Sequence, residues 1–298
     1  MKNKIINKLK KYILSIEAKF VKKNTSDERK KFLDEGRIPW DNGYISYKHE
    51  MISKSICDEG FINGLKSKSI PSNFGLRLDE RIIEYSWIFS KLPKGNLKLL
   101  DAGSTFNFDF IANHDRIVEK ELTIFTYAPE GSAFADNGVS YVYGDLRDIP
   151  FKDNLYNFIV SQSTIEHIDM DNSIYGYDID HHEDVKEKSY EYLLAVNEMV
   201  RVLKNKGTLL ITVPFGKFEN HGFFQQFDNE MLSKMTNIFE GKGTYNLEFF
   251  KYEIDGWKFS NQDELVNVVS YNPHTGKGKK DDNAAHCRSV VCVKFDKF

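Results

Sequence analysis

The sequence predicts an α/β fold: a doubly wound, mostly parallel sheet preceded by a helical extension. Three observations point there. From Leu97 onward, short apolar, β-branched runs alternate with helical stretches, the pattern of a parallel sheet covered on both faces. The first of these runs, LKLL, passes directly into Asp101-Ala102-Gly103, a strand end that opens into a loop. The 298 residues are 41% hydrophobic and 29% charged, enough for one large core and an accessory segment.

Three parts are expected: a basic amphipathic extension (1–31), a cap with a lead-in helix (32–96) and the sheet domain (97–298). Within residues 3–23, Ile5, Ile6, Leu9, Ile13, Ile16 and Phe20 recur at helical spacing with lysines between them. Residues 1–31 hold eleven basic and three acidic side chains, so a chain of net charge −3 is basic at one end and acidic elsewhere. Three readings stay open for residues 1–23: a helix lying on anionic lipid, a contact with a partner or a second copy, or a solvated helix. Thr25 or Ser26 would cap the helix that follows. Residues 36–76, rich in Gly, Ser and aromatics, read as an irregular cap with short helices. DERIIEYSWIFSKL (79–92) predicts an amphipathic helix, capped by Asp79 and stopped by Pro93 and Gly95.

Strands are expected at 97–103, 121–128, 140–145, 157–163 and 207–214, with a helix at 189–203 between the last two. RSVVCVKF (288–295) predicts one more strand, antiparallel at the edge. Three cysteines with no C-x-x-C pair argue against a disulfide framework and suit a reducing compartment. No apolar run approaches the roughly 18 residues of a membrane span, and lysines interrupt the N-terminal apolar residues that a signal peptide would gather. A cytoplasmic location is expected, with the basic helix offering a peripheral contact to the inner membrane face. The acidic main domain opposes a nucleic-acid partner.

In an open parallel sheet, ligands bind beyond the carboxyl ends of the strands. Asp101, Gly103 and Ser104 stand at the first such end, where a glycine lets backbone approach a ligand and a helix N-terminus favours an anionic group. Thr105 and Asn107 occupy positions where D-x-G-x-G-x-G would place glycines. Asn tolerates a left-handed backbone, whereas the β-branched Thr105 narrows the space beside a ligand. Asp145, followed by Leu146, could accept from an exocyclic amine or simply form a turn. SQSTIEHI sets Ser161, Gln162, Glu166 and His167 at the next strand end. His167 suits a general base with Glu166 orienting it; the pair could equally cap a helix. After the last parallel strand, His221, Gln226 and Asp228 could bind acceptor hydroxyls or belong to an ordered aromatic loop. The cluster Asp178, Asp180, His181, His182, Glu183 and Asp184 has metal-ligating side chains but no motif spacing, so it reads as a solvated insertion and no metal is expected. GKGKKDD (276–282) reads as a loop, not a phosphate cradle, because no Ser or Thr follows its lysine.

LLDAG, then GDLRDIPFKDNLYNFIVSQSTIEHI, then NEMVRVLKNKGTLLITVPFGK together resemble the class I S-adenosylmethionine-dependent methyltransferases over about 79–298. The order is most similar to the methyltransferase-like proteins of bacterial surface-polysaccharide gene clusters. The resemblance implies a Rossmann-like seven-stranded sheet whose sixth and seventh strands form an antiparallel edge. It implies S-adenosylmethionine as cofactor, held by Asp101, Gly103, Ser104, Tyr127, Asp145, Leu146 and Gln162. Such families usually place an acid after the second strand to grip the ribose; here that position offers Tyr127 as a platform and Glu130 as a delayed acid. The implied reaction is methyl transfer to an oxygen of a carbohydrate or nucleotide-linked acceptor, with His167, Glu166 and His221 as catalytic candidates. Thr105 also keeps open a non-catalytic binding or scaffold protein that retains the fold.

Overall fold

The computed structural model describes residues 27–173 and 187–298. The expected helix at 3–23, with its lipid and partner readings, and the 178–184 cluster lie outside the described residues. Among the described residues no helix is long and apolar enough to cross a membrane.

Eight strands form one sheet in the order β3-β2-β1-β4-β5-β10-β8-β9. The parallel part comprises β1 (Lys98–Ala102), β2 (Glu121–Thr126), β3 (Ser140–Tyr143), β4 (Tyr156–Gln162) and β5 (Leu203–Pro214). The antiparallel part comprises β8 (Gly243–Glu253), β9 (Gly256–Ser260) and β10 (Ser289–Lys297). Two-residue strands β6 (Glu219–Asn220) and β7 (Gln225–Gln226) pair apart from the sheet. The tail strand therefore sits between β5 and β8 instead of at the edge, and the sheet has one strand more than seven. Strands β8 and β9 escape the sequence pattern because the first half of GTYNLEFFKYE is polar and largely exposed, masking the apolar Phe249 and Phe250.

Alternation along the strands builds two cores. Leu99, Phe158, Leu210, Val290 and Cys292 face one way, toward α2 (Tyr44–Cys57), α3 (Glu59–Lys66) and α4 (Arg81–Lys91). Leu100, Ile159, Leu209, Ile211 and Val291 face the other way, toward α6 (Tyr192–Val202) and α7 (Asn229–Asn237). A helical stretch at 27–34 (α1) adds Phe32 to the first core. Residues 36–76 hold two short helices between irregular segments, and both helices pack on α4. That outer layer explains why α4, predicted amphipathic, is buried at every position from Ile82 to Ser90. In its interior, Ser86 Oγ bonds Ile82 O at 2.6 Å and Ser55 Oγ of α2 at 2.9 Å. Asp79 caps the first turn through Arg81 N (3.2 Å) and also accepts from Lys48 Nζ (2.6 Å) and Tyr44 Oη (3.0 Å), pinning α2 to α4.

Between β1 and β2 the helical segment α5 (Asp109–Ala112) is a single turn. The helix expected after the first loop is this one turn, and none of its residues lines the cavity described below.

Candidate functional site

A cavity of about 360 Å³ opens at the carboxyl ends of β1 to β4, within the size range of small-molecule sites. Each strand end contributes a segment of wall: Gly103 and Thr105 after β1; Thr126, Tyr127 and Glu130 at β2; Gly144 to Arg147 after β3; Ser163, Thr164 and His167 after β4. Arg81, at the start of α4, closes one side with Met170 and Asn172.

The β1 loop is held from beneath. Asp101 is fully buried and accepts from Phe106 N (2.7 Å) and Thr105 Oγ1 (3.1 Å). Burial pushes its carboxyl up to about 7, opposed by those two hydrogen bonds. Asp101 does not line the cavity; it shapes the loop that does. Gly103 (φ 135°) and Ser104 (φ 63°) supply the left-handed turn, so the residue that adopts αL backbone is Ser104 and not Asn107. Ser104 is buried and is not part of the wall. The Thr105 side chain lies on the wall, yet its hydroxyl is directed to Asp101, and its carbonyl accepts from Tyr85 Oη.

Asn107 makes the contact that the sequence left unread. Its Nδ2 donates to Glu130 Oε2 (2.7 Å) and Ser132 O (2.9 Å), while Tyr141 Oη donates to its Oδ1 (2.8 Å). The residue in a glycine's place therefore holds the delayed acid against the cavity. Tyr127 stands beside it, half exposed.

Asp145 and Leu146 line the cavity as expected. Arg147 chelates the Asp145 carboxylate, with Nη2 to Oδ2 at 2.7 Å and Nε to both oxygens at 3.0–3.1 Å. Burial would raise the Asp145 pKa, but hydrogen bonds from Arg147 outweigh it and hold the carboxyl below its ordinary value. A ligand amine there shares the carboxylate with this guanidinium.

At β4, His167 lines the cavity and donates from Nδ1 to Phe223 O (2.6 Å). A proton on Nδ1 makes Nε2 the basic nitrogen of the neutral ring. Burial lowers its pKa to about 4, so it stays neutral at physiological pH. Glu166 is buried behind it, with Oε1 3.9 Å from His167 Nε2, and burial pushes its carboxyl well above the usual range. Gln162 turns away: its side chain donates to Glu84 Oε2 (3.4 Å), and its carbonyl accepts from Arg81 Nη1 (3.2 Å). Arg81 also bonds Ser163 O (3.3 Å) and Glu84 (3.3 Å), bringing a cation to the wall that no strand-end rule could find from sequence.

The 213–228 loop lies outside the cavity wall. Asp228 caps α7 through Met231 N, and the Gln226 side chain bonds Lys217 O and Val268 O. His221 is buried, its ring stacked on Phe224 (centroids 4.5 Å apart, planes 2° apart). The aromatic-loop reading describes these three residues.

Residues 111–211 match the model of a family described as a methyltransferase domain. No protein of curated function matches the chain. The chain is similar to a solved S-adenosylmethionine-dependent methyltransferase of Thermotoga maritima, at 15% identity over 84% of this chain and 99% of that one (TM-score 0.42). It is also similar to one of Methanosarcina mazei (11%, 71% and 98%, TM-score 0.41). A third is the 1,6-didemethyltoxoflavin-N1-methyltransferase of Burkholderia thailandensis, solved with 1,6-didemethyltoxoflavin and S-adenosylhomocysteine bound (11%, 68% and 72%, TM-score 0.39). The matched segment runs from α5 through most of β5 and includes the wall residues of β2, β3 and β4. Over these residues the chain is similar to a methyltransferase domain.

Proposed function

We propose that the chain transfers a methyl group to a hydroxyl oxygen of a sugar or sugar substituent, with Glu130 and Tyr127 holding the donor's nucleoside. The observation that carries the donor assignment is the Asn107–Glu130 pair. Two departures from the family pattern, an Asn for a glycine and an acid three residues late, meet in one 2.7 Å hydrogen bond at the cavity wall. A carboxylate so oriented accepts from a pair of ribose hydroxyls. Gly103 gives the backbone room beside the ligand, and Asp145 with Leu146 suits the adenine end.

Bound there, S-adenosylmethionine supplies an electrophilic methyl on a sulfonium. The chain's own work is to align an acceptor with it and to take the acceptor's proton at His167 Nε2. A ring with a pKa of about 4 is a weak base, so alignment carries more of the rate than proton removal. Arg81, on the same wall, supplies donors for acceptor oxygens, whereas Asn172 gives its amide protons to His167 O and Met170 O. The sugar class rests on the sequence resemblance to polysaccharide-cluster proteins and on this polar lining. The scaffold alternative took its support from Thr105, whose hydroxyl folds onto Asp101 and leaves the cavity open.

Calorimetric titration with S-adenosylhomocysteine tests the donor site. Glu130→Gln should weaken binding about 10- to 100-fold, the value of hydrogen bonds to a charged group. Asn107→Ala should weaken it less, and add little to Glu130→Gln. Unchanged affinity in a folded Glu130→Gln protein would remove the acid from the site. With nucleotide-linked sugars as acceptors, His167→Ala should slow methyl transfer by roughly 10²-fold while sparing donor affinity; full turnover would leave alignment as the whole mechanism.

A further inference from the structure

Away from the cavity wall, Glu80, His286 and Cys287 bring three ligand-type atoms within 4.8 Å of one another. His286 Nδ1 lies 2.9 Å from Glu80 Oε1 and 3.0 Å from Cys287 Sγ. One imidazole nitrogen cannot serve both neighbours well. Protonated, it has a single N–H to give; unprotonated, its lone pair faces a carboxylate. A cation satisfies nitrogen, sulfur and oxygen together.

The surroundings favour that solution. Glu80 is 4% exposed and Cys287 1%, so both ligand atoms are shielded from water, and the carboxylate is already held by His286. Glu80 Oε2 also accepts from Cys287 N (3.2 Å), which fixes the carboxylate as an outer hydrogen bond fixes a metal ligand. One thiolate, one imidazole and one carboxylate suit zinc, whereas magnesium and calcium prefer oxygen alone.

We propose that Glu80, His286 and Cys287 bind a zinc-class divalent cation that clamps the start of α4 to the start of β10. The ligands are separated by 206 residues of sequence, so no spacing motif announces them. This site is distinct from the 178–184 cluster, and it departs from the expectation of a metal-free protein. At ligand bonds of about 2.0–2.3 Å, neighbouring ligand atoms of a tetrahedral site stand roughly 3.3–3.7 Å apart. The two distances from His286 therefore open by less than an ångström, and the third side of the trio, within 4.8 Å, adjusts toward the same range. On binding, the Cys287 S–H bond breaks, a sulfur–metal bond forms and the proton passes to solvent; no electrons are transferred. The clamp does not rest on the methyl-transfer reading.

The test uses the full chain, freed of metal by chelator and titrated with Co²⁺ as a spectroscopic stand-in, then with Zn²⁺ during thermal unfolding. The expected result is a thiolate-to-cobalt charge-transfer band in the near ultraviolet and a rise in Tm with Zn²⁺. The band should vanish in Cys287→Ser and weaken at least tenfold in Glu80→Gln, but persist in Cys57→Ser. If Cys287→Ser does not fold, His286→Gln, at a partly exposed position, should also lose the band. A chain with no band and no Zn²⁺-dependent Tm shift overturns the proposal. So does a band that survives in Cys287→Ser and in His286→Gln, or one lost in Cys57→Ser.

Discussion

The His221 ring is buried against Phe224, and neither of its nitrogens has a hydrogen-bond partner among the described residues. Burial lowers its pKa from 6.5 to about 4, with the Lys277 charge adding to the effect. The unfolded chain takes up a proton near pH 6.5 that the folded chain refuses until about 4. The stability held by this neutral ring is therefore complete above pH 6.5 and is lost as pH falls toward 4. His221→Phe removes that loss together with two unpartnered polar atoms, each costly when buried. Urea unfolding at pH 5 should show the variant about 1–3 kcal/mol more stable, with unchanged affinity for S-adenosylhomocysteine. A destabilised variant, or one that loses donor binding, would return His221 to the functional set. His167, depressed to a similar value, keeps part of the acid slope in the variant. From sequence, His221 and His167 are alike: single histidines after parallel strands. What separates them is the partner of the ring, the Phe223 carbonyl for His167 and the Phe224 face for His221, and that is set by tertiary packing.

Among the elements, the crossing of the β1 and β4 loops is the tightest constraint on the cavity. A Cβ on Gly103 would lie 2.0 Å from Thr164 Oγ1 and 2.8 Å from Thr164 Cβ, at a φ of 135° that other residues rarely adopt. Gly103→Ala should thus cost several kcal/mol, from strain of roughly 1–3 kcal/mol and a clash of similar size. Thr164→Gly in the same chain should recover the clash but not the strain. A double-mutant cycle by denaturant unfolding checks this, since contacting residues couple by about 0.5–3 kcal/mol; simple additivity would mean that the loops do not meet. The strands that form this crossing were legible because each is a short apolar run ending in Gly, Ser or Asp. The helices on the far side of α4 were less so. Their apolar residues, such as Ile52, Ile56, Ile62 and Leu65, are spaced among glycines and serines that mask the periodicity. The cavity's strand ends could be read from sequence. Arg81 could not, because its place at the cavity is fixed by α4 docking on the sheet, a contact between segments about 80 residues apart.

For the whole molecule, the question is which residues the sheet needs in order to fold. Sequence placed a boundary at 96/97, where helical patterning gives way to strands. The packing crosses it: Ile82, Ile83, Trp87, Ile88 and Phe89 of α4 share a core with Leu99, Phe158 and Val290 of the sheet. At roughly 1.5–3 kcal/mol for each large apolar side chain, uncovering that face forfeits about as much as a typical domain's entire stability of roughly 5–15 kcal/mol. We expect residues 97–298 alone to be aggregated or molten. A chain beginning at Asp27 keeps Phe32, which is 2% exposed, and every residue of the cavity wall. It should unfold cooperatively and bind S-adenosylhomocysteine within about twofold of the full chain, since a change below roughly 0.4 kcal/mol corresponds to less than a factor of two. Circular dichroism melts and calorimetric titration on the two truncations decide the matter. A cooperative transition in 97–298 would make the helices before β1 a separable unit, and a loss of donor binding in 27–298 would bring residues 1–26 into the site.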